Sequence, residues 1–298
     1  MARIGDRAGN VLGMDPLGEH RPMLFGLAYR LLGSVADAED VLQDAYLKWR
    51  SVSHEEIRQP RRYLSRIVTR AAIDRLRARG SHETYVGQWL PEPVLTSTPA
   101  QLLDPAETAE RRDSVAIATL HIMERLDPVE RAVYVLRQAF ELPYVQIAET
   151  VQRSEGHCRQ LFRRASARLD EDQRHFSPSR AEHAALLASF LAAACQGDVP
   201  ALRALLHEEV VAWTDSGGAT KAARNPIVGA DKTSRFFAGV YGLRDGMTTT
   251  FVELNGAPGA IMRLADFTQA ISFAVHDGRI SGAFVVSNPD KLTTIAGV

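Results

Sequence analysis

A chain of 298 residues with a formal charge of −1, 45% hydrophobic and 24% charged residues has room for two or three folded domains and is neither disordered nor membrane-like in composition. No apolar run approaches the ~20 residues of a spanning helix, and the first fifteen residues lack an apolar core before a small-residue cleavage site, so the expectation is a cytoplasmic protein. Two cysteines, Cys158 and Cys195, have no His or Cys at zinc-site spacing and point to buried thiols, with no disulfide framework, metal or cofactor.

The near-neutral total conceals a segregation of charge along the chain. Leu17 to Leu32 carries Leu24, Leu27, Ala28, Leu31 and Leu32 at helical spacing and stops at Gly33. Ser34 opens a second helix with Asp37 as its capping partner. There Ala38, Val41, Leu42, Ala45, Tyr46 and Trp49 form an apolar stripe, while Asp37, Asp40 and Asp44 form an acidic outer face. That face is either a solvated one suited to the helix dipole or a docking surface for a basic partner. The next helix spans Pro60 to Arg79. From Arg58 to Arg79 eight arginines stand against Asp74 alone, a density beyond what solvation requires. Arginine pairs bidentately with phosphate and stacks on exposed bases.

After Gly80 the period breaks. Ser81 to Asp104 contains Gly87, Pro91, Pro93 and Pro99 and reads as a linker between domains. It also holds Tyr85, Val86, Trp89, Leu90 and Val94, which a freely solvated linker disfavours, so part of it should dock. Helical spacing returns from Pro105 through Leu126, and Asp127-Pro128 begins a further helix. Phe140 to Leu169 then reads as helix, tight turn, helix. Pro143 starts the short helix, Val151 packs in the turn and Ser154 caps the second helix. Cys158, Leu161, Phe162, Ala165 and Leu169 face inward. Arg153, Arg159, Gln160, Arg163, Arg164 and Arg168 give that helix a basic face suited to phosphates and base edges.

Beyond a short polar joint at Gln173 to Ser179 the composition changes. Ser179 and Glu182 cap a helix through Ala194, and Asp198 and Pro200 begin a shorter one. A strand at Val210 to Thr214, a Gly217-Gly218 turn and a helix at Asp231 to Tyr241 follow. Four strand-like runs come next, Met247–Leu254, Ala260–Leu264, Gln269–Val275 and Arg279–Val286. Helices followed by antiparallel strands predict an α+β domain with a curved sheet and a cavity.

Taken together, the acidic helix DAEDVLQDAYLKW, the arginine-dense helix ending DRLRAR and the terminal helix-turn-helix resemble an extracytoplasmic-function sigma factor. WLPEP at Trp89 to Pro93, DSGGATKAARNPIVGAD and NPDKL at Asn288 to Leu292 resemble the subgroup with a C-terminal SnoaL-like domain. The resemblance implies two all-α helical sigma domains and an α+β curved-sheet domain. These are residues 15–82 (region 2), a linker at 83–110, 111–172 (region 4) and 180–298 (the SnoaL-like regulatory domain). It implies core RNA polymerase and promoter DNA as partners, a small ligand in the C-terminal cavity as a third, and no membrane. Asp37, Asp40 and Asp44 would dock on the polymerase. Arg62, Arg66, Arg70, Asp74, Arg75 and Arg77 would belong to the helix that opens the minus-ten element. Arg159, Gln160 and Arg163 would read the minus-thirty-five element, with Arg153, Arg164 and Arg168 on phosphates. Trp89, Leu90 and Pro91, with Asp215, Gly217, Gly218, Asn288, Pro289, Asp290 and Lys291, would form an interdomain regulatory contact. Two departures stand out: Arg70 occupies a position that is usually Asn, and the usual Asp-Gly-Gly-Gly-Lys becomes Asp215, Ser216, Gly217, Gly218 and Ala219, so the motif lysine is missing and Lys221 either replaces it or does not.

Two other readings compete. A SnoaL-like acid–base enzyme would use Asp215, His207, Asp266 and His276, which requires those groups to converge in one pocket. A dimeric repressor would need only the helix-turn-helix and leaves the arginine-rich helix unexplained.

Overall fold

The computed structural model describes residues 16–53, 57–82, 85–96, 115–173, 179–220, 222–242, 244, 246–264 and 267–295; Lys221, Asp266 and the helical start expected at Pro105 lie outside them. The helices are α1 (Pro16–Leu32), α2 (Val35–Arg50), α3 (Pro60–His82), α4 (Ile117–Met123), α5 (Pro128–Gln138), α6 (Tyr144–Val151), α7 (Glu155–Gln173), α8 (Arg180–Gln196), α9 (Val199–Leu205) and α10 (Ala230–Tyr241). Their starts follow the sequence signals. Ser34 Oγ accepts the Asp37 N–H, Asp127 Oδ1 accepts the Val129 N–H, and Ser179 and Glu182 form a reciprocal capping box. Helix α3 runs past its expected end to His82, and α7 reaches Gln173.

Helices α1–α3 and α4–α7 were expected on either side of a linker. They share one continuous core, from Leu24, Leu27 and Leu64 to Ala132, Ile147, Cys158 and Leu169. Arg30 and Arg131, each 1% exposed, are buried at the seam, where Arg131 donates to Arg30 O and Arg30 lies over the Phe140 ring.

The strands are β1 (Leu206–Asp215), β2 (Ile227–Val228), β3 (Thr248–Leu254), β4 (Ala257–Leu264), β5 (Phe267–His276) and β6 (Arg279–Val286), in the order β2-β1-β6-β5-β4-β3. An all-antiparallel set was expected, but β1 and β6 run parallel. The chain leaves β1, passes through α10 and the β3–β5 meander, and returns beside its first strand. A pairing between strands this distant in sequence leaves no local signal. Register follows from it: Asp215 lies opposite Val286, so the last residue of β1 sits beside the tail that leaves β6. β1 also begins earlier than expected, at Leu206, and β4 takes in Pro258 and Gly259, leaving only Asn255-Gly256 as the β3–β4 turn.

A separate core fills the C-terminal domain around Phe190, Phe237, Ile271 and Phe273. A third cluster joins the two halves: Leu90 and Leu95 from the linker, Ile117 from α4, Leu254, Ile261 and Phe284 from the sheet, and Leu292 and Ile295 from the tail. Asn255, 2% exposed, ties the same seam with polar bonds. Its Nδ2 donates to Tyr29 Oη (2.6 Å) and Val115 O (3.0 Å), its Oδ1 accepts the Val94 N–H (2.9 Å), and its own N–H reaches Val94 O (2.8 Å). Leu95 and Leu254 add an isolated antiparallel bridge. Because truncation would strand buried donors and acceptors on three elements, and Asn tolerates its φ of 53° better than Ala, Asn255→Ala should cost about 2–4 kcal/mol. Urea unfolding of the full chain checks this; a loss under about 0.5 kcal/mol would show that the seam does not depend on it.

Candidate functional site

Three charged surfaces and one buried junction carry the residues singled out by the sequence. On α7, Gly156, His157, Arg159, Gln160 and Arg163 are exposed along one face, while Cys158, Leu161, Ala165 and Leu169 are buried. Ser154 Oγ accepts the His157 N–H and fixes the helix start. Arg159 lies over the Tyr144 ring at 5.0 Å and pairs with Glu155 at 2.9 Å, which orients its guanidinium along this face. Arg164 and Arg168 reach down to Glu130, a 1% exposed carboxylate on α5, at 3.3 and 3.0 Å. Arg153 bonds the Gln152 carbonyl beside it.

On α3 the arginines are largely engaged within the molecule. Arg62 pairs with Glu149 of α6, and Arg70 donates Nε to Thr150 O and Nη2 to Glu149 O, both at 2.9 Å. Arg66 stacks on Tyr63, Arg77 pairs with the exposed Asp74, and Arg75 bridges Asp37 and Asp40 of α2. Asp37 also pairs with Arg79, so its carboxylate faces α3, whereas Asp40 and Asp44 are exposed. Leu47, 57% exposed one turn further along α2, extends this acidic patch with an apolar residue that charge pattern alone does not single out.

The junction is built on Asp215, which has no exposure at all. Its Oδ1 accepts the Tyr85 hydroxyl (2.5 Å) and the Gly217 N–H (3.1 Å); its Oδ2 accepts the Leu90 N–H (2.8 Å) and Lys291 Nζ (2.8 Å). Its main-chain oxygen accepts the N–H groups of Ser287 and Asn288. Lys291 Nζ also donates to Leu90 O (2.6 Å) and lies 4.1 Å from the Trp89 ring centroid. Burial pulls the Lys291 pKa down, and Asp215 opposes that pull. Asn288 Nδ2 donates to Tyr85 Oη. Gly217, at φ 57°, lies so close to Asn288 that a Cβ would fall 2.5 Å from its amide nitrogen. Gly218 lies against Val86, Pro91 against Gly33, and Asp290 donates its N–H to Asn288 Oδ1. Trp89, Leu90, Asp215, Gly217, Asn288 and Lys291 therefore meet at one place. The sequence signals Tyr85 but not its bond to Asp215, and leaves Asn255 in the gap between two expected strands.

Acid–base chemistry finds no such convergence among the described residues. His207 and His276 face each other, with ring centroids 5.4 Å apart, at the start of β1. Asp215 ends that strand, roughly 25 Å away at 3.3 Å per residue, and is sealed by its four donors. Asp266 lies outside the described residues. Between α10 and the sheet is a cavity of about 320 Å³. Thr214, Phe236, Val240, Gln269 and Ser287 contribute to its wall, and the Tyr241 hydroxyl donates to Gln269 Oε1 at 2.6 Å. No residue described in that wall is charged.

Residues 17–82 match the model of Sigma-70 region 2, and residues 117–169 that of Sigma-70, region 4. The chain is 34% identical over 289 residues to the ECF RNA polymerase sigma factor SigJ of Mycobacterium tuberculosis H37Rv, covering 92% of this chain and 91% of SigJ. It is 31% identical over 216 residues to the probable ECF RNA polymerase sigma factor SigI of M. tuberculosis CDC 1551, covering 72% and 71%. The crystal structure of M. tuberculosis SigJ superposes with a TM-score of 0.73 at 31% identity, covering 94% of this chain and 98% of that one.

Glu92 links the junction to the acidic helix. Its Oε2 accepts the Val35 N–H at the start of α2 (2.8 Å), its N–H bonds Gly33 O and its carbonyl accepts the Tyr29 hydroxyl. Burial raises its pKa above 4.5. A raised folded pKa contributes stability that is present below the unfolded value and is lost as pH rises through the folded one. Glu92→Gln keeps an acceptor oxygen and removes the titration. The urea midpoint of the wild type should therefore fall from pH 4.5 upward relative to that of Glu92→Gln; parallel profiles would show that Glu92 does not titrate in that window.

Proposed function

The chain belongs to the extracytoplasmic-function RNA polymerase sigma factors, and on that premise we propose how its surfaces divide the work of promoter recognition. As a sigma factor it initiates transcription with core RNA polymerase at promoter DNA and is not an enzyme. No helix among the described residues is long and apolar enough to cross a membrane, and we assign its action to the cytoplasm with the polymerase. In our reading the exposed face of α7, with Arg159, Gln160 and Arg163, reads base edges of the minus-thirty-five element, and Arg153, Arg164 and Arg168 lie over phosphates. The α3 arginines Arg62, Arg66, Arg70, Arg75 and Arg77, with Asp74, engage the minus-ten element. Asp40, Asp44 and Leu47 dock on the polymerase, and Asp37 orients that helix through Arg75 and Arg79.

The C-terminal domain modulates this activity in cis. The observation that carries the proposal is the Asp215 carboxylate, which bonds the linker through Tyr85 and Leu90 and the tail through Lys291. That linker joins the two promoter-reading domains, so whatever holds it acts on their relative placement together with the core they share. The cavity suits a small uncharged molecule with an apolar body and one hydrogen-bonding group for the Tyr241–Gln269 pair. Two of its walls, Thr214 and Ser287, adjoin Asp215 and Asn288 in sequence, which gives a ligand a short route to the junction.

Run-off transcription with added core polymerase tests both levels. Arg163→Ala should lower discrimination between promoter and scrambled duplex by about 1–3 kcal/mol, whereas Arg168→Ala should weaken both alike. Lys291→Met should change promoter-dependent transcript yield in the same direction as a chain ending at residue 173. Transcription from neither chain would defeat the sigma reading. Equal yields from the wild type, Lys291→Met and the truncated chain would leave the C-terminal domain without a regulatory part.

A further inference from the structure

Beneath the row of arginines on α7 lies an acid, Glu130, that is only 1% exposed. It stands in the first turn of α5, where the partial positive charge of a helix N-terminus suits a carboxylate. Every residue from Val129 to Leu136 is buried, so this carboxylate is anchored in close-packed core. Above it, Arg164 and Arg168 follow one another by one turn of α7, about 6 Å at 1.5 Å per residue. Arg164 donates Nε to Oε1 (3.3 Å) and Arg168 donates Nη1 to Oε2 (3.0 Å), one carboxylate oxygen each. Both side chains remain about half exposed, 54% and 55%. Each guanidinium is therefore tied inward on one edge and keeps further N–H groups for the solvent side.

An acid under two phosphate-binding cations is unfavourable on charge alone, since it cancels one of the two positive charges and repels the phosphate. What it supplies is placement. A free surface arginine gives up rotamer freedom when it takes a phosphate, and one already held gives up less. We infer that Glu130 is a positioning residue for promoter binding: it does not touch DNA, and it fixes Arg164 and Arg168 as a two-pronged phosphate clamp beside the base-reading face of α7. The fork of a guanidinium serves a carboxylate on one edge and a phosphate on another, which the single point charge of a lysine does less well. The inference rests on the reading of Arg164 and Arg168 as phosphate contacts.

The test measures binding of the full chain, assembled with core polymerase, to promoter duplex and to the same duplex with a scrambled minus-thirty-five element, over a series of salt concentrations. Glu130→Gln removes a negative charge, so charge alone predicts tighter binding and placement predicts the reverse. Affinity for both duplexes should fall about fivefold, the scale of immobilising one or two long side chains. The slope of log K against log salt should become shallower by about 1. Glu130→Asp, which keeps the charge and shortens the reach by one methylene, should shift both readings in the same direction. In a chain carrying Arg164→Ala and Arg168→Ala, adding Glu130→Gln should lower affinity no further. The slope is independent of the fraction of active protein, so a folding defect cannot imitate it. Tighter binding by Glu130→Gln, an unchanged slope in both Glu130 variants, or a further loss in the double-arginine background would overturn the positioning role. A double-arginine chain that keeps the parent slope would defeat the phosphate reading and the positioning role with it. Failure of the sigma reading is separately visible, as no promoter complex with the parent chain.

Discussion

A carboxylate shut away from water must be given donors, and Asp215 takes its donors from two segments that would otherwise have no reason to meet. Tyr85 and Leu90 come from the middle of the chain, Lys291 from its end, and only Gly217 is local. Removing one partner of a buried ion pair strands the other charge at a cost of several kcal/mol, which makes such a pair a strong specifier of geometry even where its net contribution to stability is small. Lys291 is held in turn by Leu90 O and by the faces of Tyr85 and Trp89. The apolar cluster of Leu90, Leu95, Phe284, Leu292 and Ile295 supplies non-directional adhesion around this centre. The carboxylate fixes which surfaces adhere and in what register.

From the junction, constraint passes outward through the linker backbone. Trp89 packs over Gly33 and is covered by Arg79, while Glu92 accepts the first N–H of α2. The acidic helix, the arginine-rich helix and the C-terminal sheet are therefore coupled within a few residues on either side of Pro91. Gly33 is required there because its φ of 64° ends α1 and a Cβ would fall 2.7 Å from the Trp89 ring.

The helices were legible because each carries its own period and stop signals: Ser34, Asp127, Ser154 and Ser179 all cap where residue type and spacing place them. The exposed face of α7 was legible for the same reason. What sequence could not supply was partner choice over long separations. Arg70 reads as one more cation in a basic run, yet its partners are main-chain oxygens 79 and 80 residues away, which have no side-chain signature. The parallel pairing of β1 with β6 is equally silent, since neither strand's alternation records its neighbour. Asn255 is silent for another reason: Asn-Gly forms the β3–β4 turn, as that dipeptide commonly does, but its side chain bonds α1 and the linker.

The distances along the chain have a temporal meaning. The bond between Asn255 and Tyr29 spans 226 residues, and those of Lys291 with Leu90 and Asn288 with Tyr85 span 201 and 203. On a ribosome the helical domains finish first, and roughly 120 further residues must be added before Lys291 exists. At 5–20 residues per second that takes about 6–24 s. Every molecule thus begins life with both promoter-reading domains made and the linker held only by its contacts with α1, α2 and α3, and acquires its third domain's grip only when synthesis is nearly over.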